Sequence, residues 1–377
     1  MKIAIDARFF GPQGKGLGRY TQKLIEELEK IDTTNQYDIL VNSDTGENYT
    51  PTNPNFRKVV VDIPWYTIKE QREMPKVLNQ GNYDLVHFLH FNVPVLYTKP
   101  YVVTIHDLIL LEYPTRKAST KGWLVYQLKS LAYKQVIVRA IKASKKIIAI
   151  SEFTQSSIEK FFHVPEEKFA MIYEGVDREK FQEDRKIPFD FKKFNVAKGK
   201  YLLYVGNVYP HKNIPFLLDA FKEWKITSSH PDASEMKLVL VGKEDYFYKR
   251  TKEEVKERNM ESDVVFTEFV PDEELLDLYQ NCASYVFPSL YEGFGLPPME
   301  ALSMGAKIYL ADATCLPEIF GDIADYFDPK SIQSFVSRLD NHLQKKPPSQ
   351  KSVEKFLSGY SWEKMAKETL CVYNNIR

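Results

Sequence analysis

Two glutamates bracket a glycine-rich loop and the expected start of a helix within residues 288–305. Two prolines, at positions 297 and 298, suit the first turn of that helix because no hydrogen-bonding N–H group is lost there. The N–H groups and partial positive charge at a helix N-terminus attract phosphate. Glu292 and Glu300, the second expected in the first helical turn, can accept hydrogen bonds from the hydroxyls of a sugar or ribose. The stretch therefore predicts a binding site for an anion beside a polyol. The alternative is an ordinary strand–loop–helix turn without a ligand.

Two basic side chains follow predicted strands elsewhere in the chain. Lys212 lies in a Pro-His-Lys-Asn turn after the strand at 201–206, where a lysine can direct a mobile charge at phosphate. His106 directly follows the strand at 101–105, and ligands of parallel sheets bind beyond the carboxyl ends of the strands. The ordinary alternatives are a solvated lysine and a histidine capped by the neighbouring Asp107.

A metal site is not expected. His87 and His90 are three residues apart, so on a strand their side chains point to opposite faces. Cys282, Cys315 and Cys371 are far apart and lack the spacing of a zinc or redox site. An Asp-x-Asp pair that would suit a metal-bound diphosphate is also lacking. The sequence therefore predicts chemistry without a metal or another cofactor.

The segment 113–146 is strongly basic. Residues 113–151 contain nine lysines or arginines and no acidic residue, with aromatic and aliphatic side chains between them. One interpretation is an amphipathic helix that packs on a sheet and exposes its lysines to solvent. The other is peripheral contact with an anionic membrane surface or a pyrophosphate-bearing lipid.

Composition bounds the class of protein. A chain of 377 residues suggests about two domains, and a net charge of zero gives no reason to expect nucleic-acid binding. Sparse cysteines favour a reducing compartment, and no apolar run approaches the roughly 20 residues of a membrane span. Residues 1–6 form a strand pattern rather than a signal peptide. We expect a cytoplasmic protein, with the inner face of the membrane as a further option.

Strands and helices alternate along both halves of the chain, which indicates mostly parallel sheets. A first strand at 2–6 leads into a glycine loop that runs to Tyr20, before a helical pattern. The spacing of these glycines partly matches a nicotinamide-dinucleotide fingerprint, but the acidic residue expected after a second strand is not evident. A charged, poorly periodic stretch at 178–199 separates the halves and reads as a linker.

The run Tyr-Glu-Gly-Phe-Gly-Leu-Pro-Pro-Met-Glu-Ala-Leu at 291–302 resembles the signature of retaining glycosyltransferase family 4. The resemblance implies the α/β GT-B fold, in which two Rossmann-like domains face each other and a C-terminal helix crosses back to the N-terminal domain. The expected boundaries are an N-terminal acceptor domain at 1–185, a C-terminal nucleotide-sugar donor domain at 186–360, and the C-terminal helix at 361–377.

The resemblance also implies roles for residues at matching positions. Catalytic roles fall on Glu292, His106 and Lys212. Donor-binding roles fall on Gly16, Gly18, Asn207, His211, Lys212, Phe269, Val270, Glu292, Gly293, Phe294, Gly295, Leu296 and Glu300. The glutamates would meet the donor sugar and the nucleotide ribose, and Lys212 the diphosphate.

The chain departs from the family pattern at two places. The family commonly pairs an arginine with the lysine that grips the diphosphate, whereas Asn207 and His211 occupy the candidate positions here. The family's Asn-Gly-Val-Asp is Glu-Gly-Val-Asp at 174–177. The resemblance therefore implies neither a second cationic group nor a role for residue 174. His211 can partly take the place of the missing arginine.

The resemblance implies a retaining, metal-independent transfer of a hexosyl group from a nucleoside diphosphate sugar to a hydroxyl of a glycan or lipid-linked glycan. Thr-Ile-His-Asp, Pro-His-Lys-Asn and Leu-Pro-Glu-Ile are closest to bacterial mannosyl- or rhamnosyltransferases of polysaccharide assembly, so GDP-mannose is the expected donor. Alternatives are a UDP-hexose donor, a sugar-nucleotide epimerase of the same fold, and a non-catalytic subunit that binds sugar nucleotides.

Overall fold

The computed structural model describes residues 1–11, 14–113, 123–177, 190–268 and 270–376, without the side chains of residues 15, 123–130 and 272. The chain divides into two compact units. The first unit comprises Met1–Gly175 and Tyr360–Arg377, and the second comprises Val176–Gly359. Because 178–189 lie outside the described residues, the expected boundary near residue 185 stays a prediction.

The first unit is built on a parallel sheet of short apolar strands. Its strands are β1 Lys2–Asp6, β2 Gln36–Val41, β3 Phe56–Val60, β4 Leu85–Phe88, β5 Tyr101–Ile105, β6 Lys146–Ala149 and β7 Phe169–Met171. They lie in the order β3-β2-β1-β4-β5-β6-β7. The central strands are nearly continuous apolar runs because helices cover both faces of such a sheet. The helices before residue 176 are α1 Lys15–Ile31, α2 Ser43–Gly46, α3 Ile68–Gly81, α4 Ile109–Glu112, α5 Trp123–Ala143 and α6 Glu152–Phe162.

The glycine loop after β1 is shorter than the sequence predicts. The helix α1 begins at Lys15, so Gly16 and Gly18 lie within the helix and not in a loop that runs to Tyr20. A Cβ atom at Gly18 would lie 2.0 Å from the carbonyl oxygen of Gly11. Gly18 is therefore needed for the close approach of α1 to the loop after β1, whereas a Cβ at Gly16 would meet no atom within 4 Å among the described residues.

The second unit repeats this architecture. Its strands are β8 Tyr201–Val205, β9 Lys237–Val241, β10 Val264–Glu268, β11 Ser284–Phe287, β12 Ile308–Ala311 and β13 Asp325–Phe327. Their order is β10-β9-β8-β11-β12-β13. The helices are α7 Ile214–Thr227, α8 Tyr246–Glu257, α9 Asp272–Asn281, α10 Leu296–Ser303, α11 Leu316–Phe320, α12 Ile332–Gln344 and α13 Gln350–Leu357. The expected α/β class with two Rossmann-like domains is confirmed.

The C-terminal helix, α14 Trp362–Asn374, returns to the first unit and packs against α1. The hydroxyl of Ser361 caps it by accepting a hydrogen bond from the N–H of Lys364 at 3.1 Å. At its other end the Tyr373 hydroxyl shares a hydrogen bond of 2.6 Å with Nδ1 of His87 on β4. Both side chains are fully buried. The predicted return of this helix is therefore confirmed, and its end is tied to the sheet.

The buried hydrogen bond between Tyr373 and His87 gives a test of this attachment. The substitution Tyr373→Phe should lower the free energy of unfolding by about 1–3 kcal/mol, because it leaves a buried ring nitrogen of His87 without its partner. The measurement is calorimetric melting of the full chain. Tyr246→Phe serves as the control because Tyr246 is 62% exposed on α8. Equal melting temperatures for the two variants would contradict the attachment.

Candidate active site

The carboxyl ends of β8 and β11 define the candidate site of the second unit. These strands are neighbours, and the strand order reverses between them. Ligands of open parallel sheets bind at such a reversal, since the two following loops diverge and leave a crevice. The N–H of Leu290, after β11, donates a 2.8 Å hydrogen bond to the carbonyl oxygen of His211, after β8. The two loops are therefore held in a fixed relation.

Lys212 and Glu292 form an ion pair at this reversal. Nζ of Lys212 lies 2.5 Å from Oε1 of Glu292, and both side chains are 13% exposed. The ammonium group also lies 5.3 Å from the ring centre of Phe287. The N–H of Glu292 donates to the hydroxyl of Thr314, after β12, at 3.2 Å. The structure thus brings together two residues that are 80 positions apart and that the sequence predicts for the site.

The loop before α10 needs glycine at position 295. Gly295 has a φ of 103°, in the region that side chains rarely adopt, and a Cβ there would lie 3.1 Å from Leu316. Pro297 and Pro298 occupy the first turn of α10 and have no N–H. The N–H of Met299 donates to the carbonyl oxygen of Gly295 at 3.3 Å. The first turn of the helix therefore offers an anion only the N–H of Leu296, fewer donors than a helix start usually presents.

Glu300 lies one turn further along than the sequence suggests. The helix α10 begins at Leu296 and has no acidic residue in its first turn, so the expectation that Glu300 lies there is wrong. The helix begins one residue before the two prolines, which leaves Glu300 just beyond the first turn. Phe294 is 3% exposed and belongs to the core, whereas Gly293 is partly exposed. The donor-binding roles expected for this loop and for Glu300 stay predictions.

Two residues of the loop after β8, Asn207 and His211, occupy the positions where the family commonly has a second cationic side chain. Burial, and next the charge of Lys212, lower the pKa of His211 to about 3. His211 is therefore neutral near pH 7 and adds no positive charge. The carbonyl oxygen of Asn207 accepts a hydrogen bond from the Tyr204 hydroxyl at 2.5 Å, and its side-chain oxygen accepts one from the N–H of Tyr209 at 3.4 Å. Asn207 thus stabilises the loop.

The loop after β10 is only partly described. Phe269 lies outside the described residues, and Val270 is 5% exposed. Glu268, at the end of β10, has a φ of 58° and ends the strand. A role for Phe269 and Val270 in reading the nucleotide base therefore stays a prediction.

His106 lies at the carboxyl end of β5 in the first unit, as the sequence predicts. Its Nδ1 lies 3.0 Å from Oε1 of Glu174, and its Nε2 lies 3.0 Å from the carbonyl oxygen of Leu89. The ring centres of Tyr20 and His106 lie 4.7 Å apart, and the two rings are nearly perpendicular, at 89°. The carboxylate of Asp107, which the ordinary alternative pairs with His106, accepts a hydrogen bond from the N–H of Ile109 at 2.9 Å. The sequence analysis missed Glu174, although its replacement of the family's asparagine marked the position.

Two further expectations concern membranes and metals. Part of the basic segment, 114–122, lies outside the described residues, so contact of 113–146 with a membrane stays a prediction. Within the described ranges no helix is long and apolar enough to cross a membrane. Across the same residues no group of three histidine, cysteine, aspartate or glutamate side chains is placed to bind a metal ion.

Several known proteins are similar to this chain in sequence or in fold. The chain is 24% identical to the O-antigen chain mannosyltransferase RfbU of Salmonella typhimurium, over 94% of both chains. It is 26% identical to the O-antigen chain mannosyltransferase B of Escherichia coli, over 95% of both. Among solved structures, sucrose-phosphate synthase from Thermosynechococcus elongatus matches with a TM-score of 0.74 at 17% identity, over 100% of this chain and 99% of that one.

Two family models match successive parts of the chain. Residues 14–180 match the model of glycosyltransferase family 4, and residues 186–356 match the model of glycosyl transferases group 1. Together they cover most of the chain, and each of the two Rossmann-like units corresponds mainly to one model. The chain therefore belongs to family 4 of the glycosyltransferases, with the GT-B fold.

Proposed function

We propose that this chain transfers mannose from GDP-mannose to a hydroxyl group of a glycan or lipid-linked glycan, with retention of configuration and without a metal. The choice of sugar is supported by the two O-antigen chain mannosyltransferases to which the chain is 24% and 26% identical. The observation that carries the reaction type is the ion pair of Lys212 and Glu292 at the reversal of strand order in the second unit.

Each partner of this ion pair suits one part of a nucleotide sugar. The ammonium group of Lys212 can bind the diphosphate, and the carboxylate of Glu292 can accept hydrogen bonds from sugar hydroxyls. Before the donor binds, each charge compensates the other in a site where the side chains are 13% exposed. When it binds, the diphosphate replaces Glu292 as the partner of Lys212, and the sugar replaces Lys212 as the partner of Glu292.

Charge develops on the leaving diphosphate as the bond to the sugar breaks. In the proposed mechanism Lys212 stabilises that charge, and the N–H of Leu296 at the start of α10 is a neutral donor. Groups of this kind act more strongly in the transition state than in the ground state, and removing one typically costs about 100- to 1000-fold in rate. The same stabilisation can come from a bound metal in other enzymes, but the proposal requires only the side chain and backbone groups.

The proposed stereochemistry follows from the family resemblance. A retaining reaction needs either a nucleophile on the enzyme or attack from the face that the leaving group occupies. In the proposed mechanism the bond from the anomeric carbon to the phosphate oxygen breaks while the bond to the incoming hydroxyl oxygen forms on the same face. The departing phosphate accepts the proton of that hydroxyl. The family resemblance implies a role in the reaction for His106 as well.

The first prediction concerns the ion pair. Glu292→Gln and Lys212→Met should each lower the slow release of GDP from GDP-mannose by about 100- to 1000-fold, because each removes one of the two groups that bind the donor during bond cleavage. The measurement is a coupled assay of nucleoside diphosphate release by the full chain.

A matched control exists in the same unit. Lys225 and Asp263 form an ion pair of 2.7 Å with side chains 12% and 27% exposed, and Asp263 directly precedes β10, at the amino edge of the sheet. Lys225→Met and Asp263→Asn should change GDP release by less than about threefold, since this pair lies at the amino edge of the sheet, opposite the proposed site. Wild-type release in both site variants would overturn the site assignment.

The second prediction concerns the nucleotide sugar. GDP-mannose should raise the melting temperature of the chain more than UDP-glucose, ADP-glucose or dTDP-rhamnose at equal concentration. A ligand at 100 times its dissociation constant adds about 2.7 kcal/mol to the stability of the unit that binds it. Lys212→Met should abolish most of this shift. A larger shift with a UDP-sugar would replace GDP-mannose by a UDP-hexose as the donor and leave the reaction type in place.

The third prediction concerns stereochemistry and metal. Hydrolysis of GDP-mannose, whose sugar is α-linked, should first release α-mannose, since a retaining enzyme keeps that configuration in transfer to water. Proton NMR of the anomeric signals in the first minutes distinguishes it from β-mannose. The rate should be the same with and without EDTA. Early β-mannose would refute retention, and loss of activity in EDTA that added Mg²⁺ restores would refute metal independence.

A further inference from the structure

Both ring nitrogens of His106 lie opposite hydrogen-bond acceptors. The carbonyl oxygen of Leu89 can only accept, so Nε2, at 3.0 Å, must carry a proton. Oε1 of Glu174 lies 3.0 Å from Nδ1, so a proton must also lie between these two atoms. It belongs either to an imidazolium beside a carboxylate or to a carboxylic acid beside a neutral ring.

We infer that Glu174 holds His106 as a doubly protonated imidazolium, and that Glu174 is a positioning residue of this glycosyltransferase. The Glu174 side chain is 5% exposed and that of His106 is 15% exposed. A carboxylate removed from water needs a positive or hydrogen-bonding partner. In the described part of the chain, the carboxylate of Glu174 hydrogen-bonds to the side chain of His106. A charged pair satisfies the carboxylate, Nδ1 and Nε2 together.

The neighbouring titratable groups leave the positive charge on His106. Burial, and next the charge of His106, lower the pKa of His87 on β4 and of His90 beyond it to about 3 in each case, so both rings are neutral near pH 7. Tyr20 on α1 faces the imidazole edge-on, and burial raises its pKa, so it is neutral as well. The carboxylate of Asp107, the next residue in the chain, accepts a hydrogen bond from the N–H of Ile109 at the start of α4.

This charge state limits what His106 can do. An imidazolium with both protons in place has no lone pair, so it cannot remove a proton from an acceptor hydroxyl. With both N–H groups bound to Glu174 and Leu89, what it can supply to an anionic transition state is a fixed positive charge. The asparagine that the family commonly has at the position of Glu174 is neutral and cannot stabilise that charge. The replacement at position 174 therefore assigns His106 an electrostatic role and excludes general-base catalysis by this side chain.

The protonation state can be measured without any activity. The full chain is labelled with ¹⁵N-histidine, and long-range proton–nitrogen spectra at pH 8 distinguish protonated from unprotonated ring nitrogens. The spectrum of His106→Gln identifies the signals of His106. We expect two protonated nitrogens for His106 in the wild type, and one unprotonated nitrogen in Glu174→Gln and in Glu174→Asn.

Each other outcome overturns the inference. An unprotonated ring nitrogen of His106 in the wild type at pH 8 would place the proton on Glu174 or remove it altogether. Two protonated nitrogens in the Glu174 variants would mean that Glu174 does not hold the charge. Should both variants fail to fold, the wild-type spectrum still decides whether His106 is an imidazolium.

The catalytic meaning of this charge rests on the proposed function and has its own readout. In the wild type, GDP release from GDP-mannose should not fall between pH 6 and 8 through loss of a proton from His106. An unpaired histidine loses its proton around pH 6.5. Release by Glu174→Gln should therefore be close to wild type near pH 5.5 and fall about tenfold or more by pH 8, as a loss of kcat.

Two controls distinguish a failure of the inference about Glu174 from a failure of the proposed function. His106→Gln should be slow at every pH, because it has no charge to regain in acid. A parallel fall of the wild type and Glu174→Gln would overturn the inference. Absence of nucleotide release by the wild type with every sugar nucleotide tested would count against the proposed function, whereas the NMR result on His106 would stand.

Discussion

The reversal of strand order between β8 and β11 is the constraint on which the candidate site depends. All strands of this sheet run in one direction, so every loop at one edge follows a strand. At the reversal the chain leaves β8 and β11 toward opposite sides, and the loops separate. Lys212 and Glu292 come from these two loops and meet at 2.5 Å. A lysine and a carboxylate 80 positions apart are thus brought together by topology rather than by local sequence.

The first unit has the same reversal, between β1 and β4, but its charges are arranged differently. Arg8, which follows β1, is 1% exposed and pairs with Asp6 at 2.7 Å and with Glu70 at 2.6 Å. Its Nη1 also donates to the carbonyl oxygen of Ile63. Breaking such a buried network leaves uncompensated charge, which typically costs about 3–5 kcal/mol. One fold therefore carries a permanent ion network in one unit and a simpler, more accessible pair in the other.

The sequence predicted the features that local pattern encodes. Apolar strands alternating with helices led to the two parallel sheets, and the resemblance to the glycosyltransferase signature pointed to Lys212, Glu292 and His106. Sequence pattern predicted the start of a helix less reliably where two backbone segments pack closely. The helix α1 begins at Lys15, and its Gly18 packs against the loop after β1. The pair of His106 with Glu174 joins residues 68 positions apart. A single sequence does not reveal such a distance, and only the departure from the family's asparagine marked the residue.

The pairing of Lys212 with Glu292 also bears on selectivity under the proposed function. An anion that binds Lys212 alone displaces Glu292 and leaves a largely buried carboxylate without its partner, which is costly. A nucleotide sugar satisfies both groups, because its diphosphate meets the lysine while its hydroxyls meet the carboxylate. Under the proposed function we therefore expect the site to discriminate against inorganic phosphate and against nucleotides without a sugar, because each leaves one charge of the pair without a partner. After transfer the sugar is gone, so Glu292 regains Lys212 and weakens the hold on the nucleoside diphosphate. In the proposed function the ion pair of Lys212 and Glu292 thus favours binding of the intact nucleotide sugar and release of the nucleoside diphosphate.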